Sequence, residues 1–103
     1  MDIAQIKNLC LNKKLRWTNH IFVRLVQRGI SMEEVTDVLL NGEIIEDYPE
    51  DYPYPSCLVF GITANKSPLH VVCGSNDEEL WLITAYRPDP DTWSADFKSR
   101  KEH

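Results

Sequence analysis

Two sets of polar residues in the sequence have the types and spacing that site chemistry requires. His20, Arg24 and Arg28 recur at i, i+4 and i+8, which lines three side chains along one face of a helix. An imidazole beside two guanidiniums suits a phosphate, because a guanidinium presents a planar fork of donors that meets phosphate bidentately. The second set, His70, Thr84 and Tyr86, falls in segments with the two-residue period of strands. A mid-strand imidazole titrates near neutral pH and responds to any charged or apolar neighbour. Each residue taken singly also has a purely structural explanation: solvated surface charge for the arginines, strand propensity for Thr84 and Tyr86. The two sets acquire a joint meaning only if the helix and the sheet meet. Cys10, Cys57 and Cys73 have no metal-ligand spacing with either histidine, so no metal and no other cofactor is expected.

The elements that must position these residues follow from periodicity and caps. Asp2 caps a first helix with Ile3, Ile6, Leu9 and Cys10 on one side, ending near Lys13 and Lys14. Thr18 caps a second, whose apolar residues are Ile21, Phe22, Leu25 and Val26, and Gly29 stops it. Ser31 with Glu34 is a capping box that opens a third helix, closed at Gly42 by the same left-handed mechanism as Gly29. The period then changes to two. Strands are expected at 43–48, 56–63, 69–73 and 80–86, with a loop at 49–55 whose three prolines exclude helix and central strand alike. A short helix with Trp93 and Phe97 inward ends the chain. The expected architecture is α+β: N-terminal helices packed on one face of an antiparallel sheet of about four strands, with a short C-terminal helix.

A turn centred between Lys66 and Ser67 would set Phe60 opposite Cys73 and Thr63 opposite His70, and a hairpin at Asp77 would set His70 opposite Thr84. Alternation then assigns Leu58, Phe60, Ile62, Leu69, Val71, Cys73, Trp81, Ile83 and Ala85 to a core face. Cys57, Val59, Gly61, Thr63, His70, Val72, Leu82, Thr84 and Tyr86 go to the other, where Gly61 leaves room for something to approach the backbone.

Length and composition bound the rest. At 103 residues the chain is the size of one domain, 1–103. No run approaches the ~20 apolar residues of a membrane span, and Asp2 with no continuous apolar stretch is not a secretory signal. Three unpaired cysteines suit a reducing cytoplasm. A net charge of −5 argues against indiscriminate nucleic-acid coating. The charge is dipolar, however: residues 1–30 carry six Lys/Arg against Asp2, while residues 31–55 carry eight acids and no Lys or Arg. That pattern reads either as two solvated faces or as a basic helix meeting an anion beside an acidic rim that restricts entry.

The motifs Thr18-x-His20-x-x-x-Arg24-x-x-x-Arg28-Gly29-Ile30-Ser31, the run Gly42 to Pro49, Leu69-His70-Val71-Val72, and Ile83-Thr84-Ala85-Tyr86-x-Pro88-x-x-x-x-Trp93 together resemble a small bacterial family, domain of unknown function 4258. The resemblance runs from residue 15 to 101. Ile21 stands where the family often has alanine, and Cys73 where it often has an aliphatic residue. The family is grouped with the barnase/EndoU/colicin/RelE-like fold, whose members are largely metal-independent RNases and often toxins of toxin–antitoxin pairs. The resemblance therefore implies an endoribonuclease, with RNA (single-stranded or ribosome-associated) and an antitoxin protein as partners. In that reading His70 and His20 are the base and the acid in either order, Tyr86 is a third catalytic group, Arg24 and Arg28 hold phosphate, and Thr84 and Lys66 support them. Aromatic residues of the loop at 48–54 would stack on unpaired bases. The alternative is a non-catalytic binding module that uses the same face for a protein or an anionic ligand, with the acidic stretch at 46–51 docking a basic partner.

Overall fold

The computed structural model describes residues 1–101. Three helices lie within residues 3–41, each opened by the cap its sequence supplies. In α1 (Ile3–Leu11) the Asp2 carboxylate accepts from the Gln5 N–H, and in α2 (Asn19–Arg28) the Thr18 hydroxyl accepts from the Ile21 N–H. In α3 (Met32–Asn41) Ser31 and Glu34 form the reciprocal capping box. Gly29 ends α2 in the left-handed region at φ 65°. Gly42 does not repeat this. It ends α3 in extended backbone, and its role is room: a Cβ there would lie 2.5 Å from both the Phe60 and Val38 carbonyl oxygens. Gly42→Ala is expected to lower stability by about 1–3 kcal/mol through overpacking, read as a lower urea midpoint at unchanged slope.

The sheet has five strands in the order β1-β5-β4-β3-β2, and it is mixed. β2 (Glu43–Tyr48), β3 (Ser56–Ile62), β4 (Pro68–Ser75) and β5 (Leu80–Tyr86) form the antiparallel part. The fifth is β1 (Leu15–Trp17), which the sequence reading missed; it pairs parallel with Leu80–Leu82 at the far edge. Three residues carry no readable period, and their partner lies some 65 positions away in the chain. All three helices lie on one face of the sheet. Ile6, Leu9, Ile21, Leu25, Val35 and Leu39 pack there against Cys57, Val59, Leu69, Val71, Cys73, Leu80, Leu82 and Ala85.

That core face differs from the expected one in β3. The turn after β3 centres on Asn65: the Thr63 N–H donates to the Ser67 carbonyl, and Lys66 takes a left-handed φ of 64°. The pairing is therefore Phe60 with His70 and Ile62 with Pro68, three positions from the expected register. An odd shift swaps every side chain of β3 to the opposite face. Leu58 and Phe60 accordingly join His70 on the outer face, and Cys57, Val59 and Gly61 face the helices. Gly61 is thus no opening for a ligand; it lies under Val38 of α3, whose side-chain carbons would be 3.1–3.2 Å from an added Cβ. In β4 and β5 the expected separation holds for His70, Thr84 and Tyr86, although His70 faces Tyr86 and Thr84 faces Val72. A register shift after Val72 moves Leu82 into the core and leaves Trp81 and Ile83 outside.

The expected C-terminal helix is not formed among the described residues. Residues 89–100 are a series of turns closed by a bridge between Trp93 and Arg100. Asp89, Ser94 and Asp96 side chains accept from the backbone N–H groups of Asp91, Ser99 and Lys98, an alternative to helical bonding that these short polar residues favour. This segment crosses the outer face of the sheet. Lys98 pairs with Glu43 (2.9 Å), Arg100 with Glu46 (2.9 Å), and just before it Arg87 pairs with Glu34. Three of the eight acids at 31–55 thus hold down the end of the chain. Among the described residues no helix is long and apolar enough to cross a membrane.

Candidate functional site

Helix α2 buries Ile21 and Leu25, so the His20–Arg24–Arg28 stripe, one position earlier on the wheel, flanks the buried one and runs beside β5. The helix and the sheet do meet here. Because β1 covers β5 only as far as Leu82, the β5 edge beyond it is open to another donor. Arg28 supplies one: its Nη1 donates to the Ala85 carbonyl at 2.8 Å and to Thr84 Oγ1 at 3.2 Å. Arg24 reaches only Gln27 on its own helix. Among the described residues neither arginine has a carboxylate partner. His20 is exposed and lines a groove of about 540 Å³ whose walls include Tyr52, Tyr54, Trp81 and Ile83.

His70 lies elsewhere in this arrangement. It is fully buried, at 0 % exposure, on the outer face beneath the C-terminal segment. The Phe97 carbonyl lies 2.8 Å from Nε2, and a carbonyl only accepts, so Nε2 carries the proton of the neutral ring. Nδ1 then accepts from the Tyr86 hydroxyl at 3.3 Å. Edge-on rings of Phe60, Tyr86 and Trp93 surround it, the last with its centroid only 4.4 Å away. Burial holds the imidazole below its ordinary pKa, and Arg100 acts in the same direction; the Phe97 carbonyl and Glu46 oppose them.

Around His70 stands a polar cluster that the sequence reading did not include. Glu46 accepts twice from Arg100, at 2.9 and 3.1 Å, and once from the Tyr48 hydroxyl. The Arg100 bonds hold Glu46 below the usual carboxylate range, and burial together with Glu46 pushes the Tyr48 hydroxyl up to about 12. No sequence signal marks this cluster, because Arg100 reaches β2 across the whole sheet. Lys66 stands at the exposed tip of the β3–β4 turn, where its left-handed backbone serves the hairpin. The structure therefore brings Arg28 to Thr84 and Tyr86 to His70, sets His20 and Arg24 along the same helix face, and leaves Lys66 apart.

A depressed imidazole pKa has a consequence for stability. Folded His70 resists protonation, so below the unfolded value of about 6.5 the unfolded chain binds more protons and stability falls with pH. Above that value its neutral contribution is complete. Thermal melting between pH 7.5 and 5 is expected to show a Tm that falls as the pH is lowered. His70→Gln, which does not titrate, should flatten that slope.

A larger groove of about 660 Å³, between α1, β1 and α3, contains none of the candidate residues. No group of three or more His, Cys, Asp or Glu side chains among the described residues is arranged to hold a metal ion. Cys57 and Cys73 face each other across β3 and β4 with their sulfurs 3.9 Å apart, both as free thiols. The model of a family described as Domain of unknown function (DUF4258) matches residues 17–87, more than half of the chain and all of the α2–β5 surface. No curated protein and no solved structure matches the chain.

Proposed function

The chain belongs to the DUF4258 family, and from its α2–β5 surface we propose that it is a metal-independent endoribonuclease-like protein acting on single-stranded RNA in the cytoplasm, as the toxin of a toxin–antitoxin pair. The observation that carries this reading is the placement of His20. An exposed imidazole lines an aromatic groove at one end of a row whose next members are two arginines that have no carboxylate partner among the described residues. Beside the far end of that row stands Tyr86, its hydroxyl bonded to His70.

In this mechanism Arg24 and Arg28 hold the phosphate and take up the charge that grows on its oxygens. The RNA 2′-oxygen attacks phosphorus as the bond from phosphorus to the 5′-oxygen breaks, leaving a 2′,3′-cyclic phosphate. His20 takes the 2′-OH proton and returns it to the departing 5′-oxygen, while Tyr86, at the other end of the row, holds its hydroxyl on His70 Nδ1 and is a positioning residue. Buried His70 thus holds Tyr86 rather than touching substrate. Capture is local: a net charge of −5 restricts contact to the basic stripe.

The burial of His70, with both nitrogens engaged, favours a second reading: the same surface as a non-catalytic module for RNA, a protein or an anionic ligand. Induced expression separates the two. Wild type is expected to arrest growth and to leave RNA fragments ending in 2′,3′-cyclic phosphate, and purified protein should cleave equally well in EDTA. His20→Ala is expected to do neither. Equal growth with intact RNA in all strains would sink the ribonuclease reading. Retention of RNA on the purified protein without cleavage would leave the binding module.

A further inference from the structure

The groove beside His20 has walls and a charge that select what enters it. Tyr54 stacks on Trp81 with centroids 6.4 Å apart and planes 23° from parallel, and the Arg16 guanidinium lies 5.5 Å from the Trp81 ring centre. Tyr52, on the rim, is 95 % exposed. A large aromatic left in water gains nothing from packing, yet its backbone is stiffened by Pro49, Pro53 and Pro55, each with a fixed φ. The buried Trp81 Nε1–H has no hydrogen-bond partner among the described residues. The one acidic side chain in the lining is Asp51, held from beneath by the hydroxyl of buried Ser56.

A carboxylate in the groove repels phosphate, so the phosphates stay outside on Arg24 and Arg28 and the occupant is a neutral aromatic plane with N–H donors at its edge. Resting on the RNA reading above, we infer that this groove is a nucleobase subsite and that Asp51 makes it select guanine. Guanine offers two adjacent donors, N1–H and N2–H, which a carboxylate accepts together. Adenine and cytosine present one donor beside a ring-nitrogen lone pair, and uracil one donor between two carbonyls. Each of these sets an acceptor against the carboxylate. Tyr52 and the Tyr54–Trp81 pair supply stacking, which is sequence-tolerant, and Asp51 supplies the discrimination.

The test is titration of the protein with the four neutral nucleosides and then with short single-base oligoribonucleotides, followed by the Trp81 indole N–H resonance. Guanosine is expected to bind at least about tenfold more tightly than the other three. Asp51→Asn, which turns a donor toward guanine's donors, should abolish that preference, while Tyr52→Ala weakens all four bases together. Equal affinity for the four nucleosides, no response at Trp81, or a guanine preference that survives in Asp51→Asn overturns the inference. Guanosine binding without oligoribonucleotide binding would instead remove the RNA reading and leave the subsite standing. RNA cleavage without base preference would do the reverse.

Discussion

His70→Ala is expected to destabilise the protein by about 3–5 kcal/mol, the range for truncating a large buried ring, and to lower Tm by about 15 °C or more. The ring is fully buried against Phe60, Tyr86 and Trp93, and its removal opens a cavity that three rigid aromatics do not readily fill. It also orphans the Phe97 carbonyl and the Tyr86 hydroxyl. That is a large share of the roughly 5–15 kcal/mol that holds a domain of this size together. His70→Phe separates the two contributions, since it keeps the packing and loses only the hydrogen bonds, at a cost of about 1–3 kcal/mol. Chemical denaturation of the three proteins measures both. A loss below about 1 kcal/mol for His70→Ala would contradict the burial described here. The large loss also means that growth assays of His70→Ala report on folding before they report on chemistry.

The opposite pattern is expected at His20. Its side chain is exposed and near the start of α2, so His20→Ala should leave Tm almost unchanged, within the roughly 0.5 kcal/mol typical of surface positions. Loss of a positioned general acid should cut kcat by about 10²- to 10⁴-fold with little change in KM. Tyr86→Phe keeps the ring against His70 and removes only the hydroxyl bonded to it, so it should lower kcat far less than His20→Ala does. Cleavage of a short RNA over a range of substrate concentrations measures kcat and KM, and thermal melting measures Tm. A His20→Ala protein with wild-type kcat would remove His20 from the chemistry. The contrast between His70, where truncation acts on stability, and His20, where it acts on rate, follows from exposure alone.

Much of this was legible in the chain. The caps at Asp2, Thr18 and Ser31, and the apolar spacing behind them, specify three helices, because helix starts depend on bonds spanning three residues. The i, i+4, i+8 spacing specifies that His20, Arg24 and Arg28 share a face. Alternation along β4 and β5 put His70, Thr84 and Tyr86 together on one side of the sheet. Gly42 shows where such reading stops: a glycine after a helix signals a stop, but whether it turns left-handed or makes room for Phe60 depends on what packs there.

The sequence by itself determined which residues share an element face, since that is a matter of period within one helix or strand. Only the tertiary structure decided which faces are covered. The β3 register hung on whether the turn centres on Asn65 or between Lys66 and Ser67, a choice that the packing of both strands decides. β1 forms against β5, far along the chain, and the C-terminal segment lies over His70 because Trp93 packs on the ring, the Phe97 carbonyl accepts from it, and Glu43 and Glu46 receive Lys98 and Arg100. Accessibility is a sum over contacts between parts of the chain far apart in sequence, and no local period encodes it. For that reason two histidines that look equivalent in the sequence separate in the fold, one into the core of an aromatic cluster and one onto the rim of an open groove.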